Sequence, residues 1–419
     1  MESNSQTILI QPSLLADGLG GSAKQEQAVL VQNGRIADVG PVQKVKKEAI
    51  PGIPVIELEG CCLAPGLIDG HTHLGLAGDG RAYVDMFNES DETMVLIGAM
   101  NMRKHLNAGI TTLREHGARN QVGFTLKEGL QKGYIPGPRL LVSGRPITCS
   151  GGHFNMCNEI ADGEEEIRRS VRSLVHEGAD YIKVMASGGG TAGTIPGLAS
   201  YSTEELQALV GEARQFHRLT VAHCRAKQAM VRAVEAGIDL IEHVEFLDPG
   251  HEMRFDPKVA EMLAESEIWL SPTLQAWTNY PEIFRLRTMR DNGTLAAHKE
   301  ADLVRMEQRA EKRLDLMRKM LDYCLKERIV PGTDSGVGGL AFGHMDYELQ
   351  LLVECGFTPD EALVAATSVS AKAAGIADEV GSVEKGKWAD LVAFGGDPTS
   401  DVSSFSDVRA VFQAGTRIK

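Results

Sequence analysis

The chain has 419 residues, 43% of them hydrophobic, enough apolar material for one large α/β domain with a smaller unit beside it. With 43 Lys and Arg against 57 Asp and Glu the formal net charge is -14, and no basic cluster of the kind that grips phosphate backbones is present, which argues against nucleic acid as a partner. The seven cysteines contain no Cys-X-X-Cys and one adjacent pair, Cys61 and Cys62, so neither a zinc ribbon nor a disulfide framework is expected, and a reducing cytoplasm fits best.

The stretch from Met1 to Thr7 lacks the basic start and long apolar run of a secretion signal. No window of about 18 uncharged apolar residues could span a membrane, so no membrane partner is expected. Residues 7–62 read as short strands and turns, with Ala28 to Gln32 and Gly34 to Val39 the clearest. From there β-rich runs alternate with amphipathic helical stretches: strands are predicted at 67–74, 110–115, 139–146, 180–186, 219–224, 239–246, 268–274 and 329–335. The clearest helices between them are 92–108, 164–177, 203–217, 226–236 and 295–327. Eight β-then-α units in one run predict a (β/α)8 TIM barrel, with any active site where the strands end.

Punctuation supports these helices. Ser202 with Glu205, and Thr358-Pro359 with Glu361, read as capping boxes, while Gly109, Gly178 and Gly237 stand where helices stop before the next strand. The charged segment 295–327 predicts a long, largely solvated helix, either a plain surface element or one that shields the site or meets another subunit. The tail returns to strand character in Gly381 to Phe394 and Val408 to Phe412. Neither end could bury a core alone, so the two are predicted to pair into a small β-sandwich, dividing the chain into 1–63 with 377–419 and a barrel at 64–376.

The residue pattern with most chemistry is His71-Thr72-His73, where histidines two apart on a strand point to one side and can reach one cation. Lys183, His223, His243 and Asp334 also stand at the ends of predicted strands. Singly, each is an ordinary residue: a core histidine, a snorkelling lysine, a turn aspartate. Together they point to a shared site.

The motifs Pro65 to His73, Gly178 to Gly189, Val221 to His223, Ile241 to His243, Gly332 to Asp334 and Lys385 to Val392 occur in order along nearly the whole chain and resemble the amidohydrolase superfamily. Gly151-Gly152-His153 and Gly343 to Glu354 make it most similar to the branch of imidazolonepropionase-related proteins and metal-dependent Xaa-Pro and Xaa-Arg dipeptidases. The resemblance implies two divalent ions: His71, His73 and Asp334 around the buried one, His223 and His243 around the outer one, and Lys183 bridging both as a carbamate formed with CO2. A free ammonium has no lone pair to offer. Such nitrogen and oxygen donors suit Zn2+ first, with Mn2+, Co2+ or Fe2+ fitting by geometry.

On that reading Asp334 takes the proton of the attacking water and returns it to the leaving nitrogen, and His153 contacts the substrate carbonyl or a carboxylate. Arg225, two residues beyond His223, is expected to pair with a substrate carboxylate, where related prolidases carry tyrosine. His116 is expected to narrow the pocket or orient a ligand, and Tyr201 with the loop Gly188 to Gly193 to line the entrance. The expected function is hydrolysis of an amide in a small molecule, a dipeptide or N-acyl amino acid. Hydrolysis of a cyclic amide, urea or carbamate is the alternative, and a catalytically silent binding protein the alternative of another class. Relatives are often homo-oligomers, and no residue here fixes that state.

Overall fold

The computed structural model describes residues 7–48, 52–82, 85–157 and 159–419; the stretch before Thr7, considered above for a secretion signal, lies outside them. Strands β1 (Thr7–Leu15), β2 (Lys24–Gln25), β3 (Gln27–Gln32), β4 (Arg35–Pro41) and β5 (Val55–Pro65) come first. They are followed by β6 (Leu67–Thr72), β7 (Ile110–Glu115), β8 (Arg139–Val142), β9 (Tyr181–Val184), β10 (Leu219–Ala226), β11 (Leu240–Leu247) and β12 (Trp269–Ser271). The tail adds β13 (Leu391–Phe394), β14 (Val408–Gln413) and β15 (Thr416–Arg417).

Strands β6 to β12 form two parallel sheets, β6-β7-β8 and β9-β10-β11-β12. Every residue of β6, β7, β9 and β11 is buried, as parallel strands covered on both faces require. Backbone bonds join the two sheets: Asp180 N–H donates to Val142 O, and Ile147 N–H donates to Lys183 O. The expected eighth strand, 329–335, is not a regular strand. It is bridged at Leu270 with Ile329 and at Thr72 with Ser335, and Asp334 sits in it at φ 55°, outside extended geometry.

The five helices predicted between strands are present as Asp91–Asn107, Gly163–Glu177, Thr203–Gln215, Lys227–Ala236 and Ala297–Leu321. Both capping boxes form, at Ser202 with Glu205 and at Thr358 with Glu361. Gly109 turns the chain at φ 83°, and a Cβ there would stand 2.6 Å from Val392 Cγ2, so glycine also lets β13 approach. The helix Ala297–Leu321 departs from expectation, because one face of its second half is buried. Leu314, Met317 and Met320 are buried, as is Arg313, which donates to the carbonyls of His243, Val244 and Pro272.

The chain ends meet in a single eight-stranded sheet, ordered β15-β14-β13-β5-β1-β3-β4 with β2 on β1. Its strands are hydrogen-bonded in one sheet, and Ile10, Val31, Leu63, Leu391 and Phe412 share one core. It joins the parallel sheets through the β5–β6 junction, where Gly66 N–H donates to Asp390 O, and through an ion pair of Arg139 with Asp390 at 3.0 Å. Among the described residues no helix is long and apolar enough to cross a membrane.

One charged network fastens the loop after β8. Arg145 pairs with Glu177 at 2.6 Å and Glu159 at 2.9 Å, and that hydrogen-bonded guanidinium holds the Glu177 carboxyl down to about 2. A carboxyl whose folded pKa is depressed stabilises fully above its ordinary value and loses that contribution as pH falls through the folded one. Urea midpoints of wild type and Glu177→Gln should differ most near neutral pH and converge as pH approaches about 2. A gap independent of pH would reject the ion pair as its cause.

Candidate active site

The carboxyl ends of the parallel strands surround a cavity of about 180 Å³. His71, on β6, and His73, just past its end, bring their Nε2 atoms within 3.3 Å of each other. Asp334 Oδ1 lies 3.2 Å from the first and 3.4 Å from the second. The outer ring nitrogens are engaged elsewhere: His71 Nδ1 stands 3.1 Å from Glu242 Oε1, and His73 Nδ1 stands 3.3 Å from Gly117 O. The His73 Nδ1 contact with Gly117 O makes Nδ1 the protonated nitrogen of that ring, and the Nε2 atoms of both rings converge beside the Asp334 carboxylate.

Three lone-pair donors aimed at one point repel unless a cation lies among them, and this arrangement fits a divalent ion. Burial lowers the pKa of His71, and that of His73 to about 3, so both rings are neutral at physiological pH. Burial alone would raise Asp334, but the charge that His71, His73 and Lys183 carry when protonated opposes it and holds the carboxyl below its ordinary value.

His223 and His243 complete the ring of imidazoles, with centroids 4.4 Å apart and His243 5.2 Å from His71. His223 directs Nε2 to Gly188 O at 3.2 Å, leaving Nδ1 as its lone-pair nitrogen. His243 has Nδ1 against Thr273 Oγ1 at 2.8 Å and Trp277 Nε1 at 2.9 Å, so Nε2 is left to face the other imidazoles. Lys183, on β9 and buried, lines the same cavity, with its ammonium against Glu242. Desolvation lowers its pKa well below the ordinary value, which favours the neutral amine that reacts with CO2.

His153 also lines the cavity, its Nδ1 2.9 Å from Thr191 Oγ1. A Cβ on Gly189 would stand 2.4 Å from His153 Nε2, so only glycine fits beneath that ring. Gly190 of the same loop reaches the cavity. Arg225 lies on the wall, its Nε donating to Glu245 Oε2 at 2.6 Å and its guanidinium 3.8 Å above the Trp277 ring. Phe154, Met185, Trp277 and Val337 supply apolar wall.

Two expected substrate contacts are elsewhere. Tyr201 is buried with its hydroxyl on Ala161 O at 2.9 Å, behind the cavity wall. His116 faces inward, its Nε2 2.5 Å from Gly70 O, its Nδ1 2.9 Å from Glu242 Oε1 and its ring 4.6 Å from that of His71, so it lies beside His71 rather than on the cavity wall. The sequence reading missed Glu242, Glu245, Thr273 and Trp277. For Glu242 and Glu245 the available signal was an acidic residue in an otherwise apolar strand, since β11 reads Leu-Ile-Glu-His-Val-Glu-Phe-Leu and is buried throughout.

A parallel α/β scaffold with this histidine, lysine and aspartate set at its strand ends defines a metal-dependent hydrolase class. The match is to the amidohydrolase family over residues 62–418, and the chain belongs to that family as a hydrolase of carbon–nitrogen bonds. Ochratoxinase of Aspergillus niger is 28% identical over 445 aligned positions, spanning 97% of this chain and 85% of that protein. Its crystal structure superposes with a TM-score of 0.80 at 27% identity over 99% of this chain and 96% of that one. A Xaa-Pro dipeptidase crystallised with methionine in its active site matches with a TM-score of 0.82 at 24% identity over 99% of this chain and all of that one (100%). Phenylurea hydrolase B matches at 0.77 and 22% identity over 99% and 97%. The last two establish the fold alone.

Proposed function

We propose that this chain is a binuclear metal-dependent amidohydrolase that cleaves the C–N amide bond of a small, carboxylate-bearing molecule, a dipeptide of Xaa-Pro or Xaa-Arg kind or an N-acyl amino acid. The observation that carries it is the convergence of His71 Nε2, His73 Nε2 and Asp334 Oδ1 within 3.4 Å, with His223, His243 and Lys183 lining the same cavity. His71, His73 and Asp334 would hold the inner ion, His223 and His243 the outer one, and a carbamylated Lys183 would bridge them; Zn2+ suits these donors first. The backbone bonds between β8 and β9 and the bridges at 329–335 support an eight-staved barrel for residues 64–376, flanked by a terminal β-domain. Seven free cysteines support a reducing, cytoplasmic setting.

Divalent ions at these positions would lower the pKa of the attacking water and polarise the scissile carbonyl. The side chains do the rest. Asp334, ionised and 7% exposed, accepts the water proton and delivers it to the departing nitrogen. The Thr191 contact fixes the ring of His153, which lines the cavity beside His223, so that it meets the substrate oxygen. Glu245 and the Trp277 face hold Arg225 in place, and its terminal nitrogens, on the cavity wall, pair with the substrate carboxylate.

The test is a screen of zinc- or manganese-loaded protein against dipeptides and N-acyl amino acids beside cyclic amides, ureas and carbamates. Turnover confined to the cyclic or urea group would reject the assignment. Arg225→Met should raise KM for carboxylate substrates about 10- to 100-fold while leaving their neutral amides within about twofold, since a charge-assisted pair is worth about 1.5–3 kcal/mol. Equal effects on both would remove the carboxylate from the argument.

A further inference from the structure

Trp277 stands where two parts of the cavity meet. It lies in the short helix Leu274–Thr278 that follows β12. Its face carries the Arg225 guanidinium at 3.8 Å, and its Nε1–H points at His243 Nδ1 from 2.9 Å, the two rings edge-on at 86°. The same Nδ1 has a second neighbour, Thr273 Oγ1 at 2.8 Å.

A neutral imidazole nitrogen carries either a proton or one in-plane lone pair. When Nδ1 accepts from the indole, the ring proton must sit on Nε2. When Nδ1 instead donates to Thr273, Nε2 keeps its lone pair. Only the second tautomer can ligate a cation through Nε2, the nitrogen facing the other imidazoles, so the contacts with Trp277 and Thr273 favour opposite states of one ligand.

We propose that Trp277 opposes the ligating tautomer of His243 and that, because the same indole carries Arg225, cation binding at the outer position and carboxylate recognition are linked through this one side chain. The inference rests on the binuclear reading above. Once His243 carries its proton on Nδ1 and donates that N–H to Thr273 Oγ1, the indole N–H has no acceptor on that ring and serves a carboxylate held by Arg225. The linkage is reciprocal: a bound carboxylate occupies the indole N–H and thereby strengthens the outer site.

The test measures the two Zn2+ affinities of the full chain by competition with a chromophoric chelator, with saturating N-acetylglycine and with N-acetylglycinamide as the neutral control. Trp277→Phe keeps a ring under Arg225 but removes the N–H, and should tighten the weaker zinc site about fivefold, the worth of one net hydrogen bond. N-acetylglycine should tighten that site by a similar factor in wild type and not in Trp277→Phe, whereas direct ligation of zinc by the carboxylate would persist in both. Thr273→Ala should weaken the same site, and Thr273→Ser should restore it. A purely structural tryptophan could not yield a gain, so an unchanged or weaker zinc site in Trp277→Phe overturns the proposal while leaving the binuclear reading intact. Wild-type protein that takes up only one zinc ion overturns the reading beneath it.

Discussion

Asp334→Asn should lower kcat/KM at least about 100-fold, because a positioned general acid–base is worth about 10²–10⁴ in rate. The substitution keeps an oxygen in the same place, so the fold and one oxygen donor survive while the proton acceptor is lost. Asp334 is suited to that role by conflict in its surroundings: burial would protonate it, whereas His71, His73 and Lys183 keep it ionised. Its φ of 55° is a left-handed conformation that non-glycine residues adopt at a cost, held here by Asp334 N–H donating to His71 O and by Thr333 binding the Asp69 carboxylate at 2.6 Å. Steady-state kinetics with metal analysis on the same preparation would check the prediction. An asparagine variant that keeps more than about a tenth of wild-type kcat/KM would transfer the proton-carrying role to another group.

The parts of this site that were legible in the sequence are those that obey a simple period. His71 and His73 share one side of a strand and its end, Lys183 lies on a fully buried strand and His223 in the buried middle of β10, so placement along the strands was enough to group them. The parts that were not legible come from broken periods. Glu242 and His243 are neighbours, and strict alternation would send them to opposite faces of β11. Yet donor atoms of both lie within 4.8 Å of one on His71, because His243, Val244 and Phe246 adopt φ of 67°, 48° and 53°. Arg313, from the charged helix, binds the carbonyls of that irregular turn, which is why a segment that reads as a surface helix carries a buried guanidinium. Thr273 and Trp277 lie just beyond β12, where no hydrophobic repeat marks them. Tyr201 was misplaced for a related reason: position near a helix start does not determine where a ring points, and its hydroxyl found a buried partner in Ala161 O, while His116 lies against His71 and Gly70 O.

Lys183→Ala should cost the protein about one divalent ion per chain and nearly all activity, since on the proposed reading it removes the residue that would bridge the two ions. The variant needs a physical control. Lys183 is buried against Glu242, whose carboxylate also stands 3.1 Å from His71 Nδ1 and 2.9 Å from His116 Nδ1. Where Lys183 is an uncarbamylated ammonium, deleting it leaves a buried carboxylate without its partner charge, a change that costs about 3–5 kcal/mol in comparable pairs, and a destabilised fold could shed metal for that reason alone. Adding Glu242→Gln removes the unpaired charge while keeping an amide oxygen for the two imidazole N–H groups. The double variant should therefore regain thermal stability without regaining the second ion or the activity. Recovery of both ions in the double variant would mean that Lys183 serves only to balance Glu242, and the bridging carbamate would have to be abandoned.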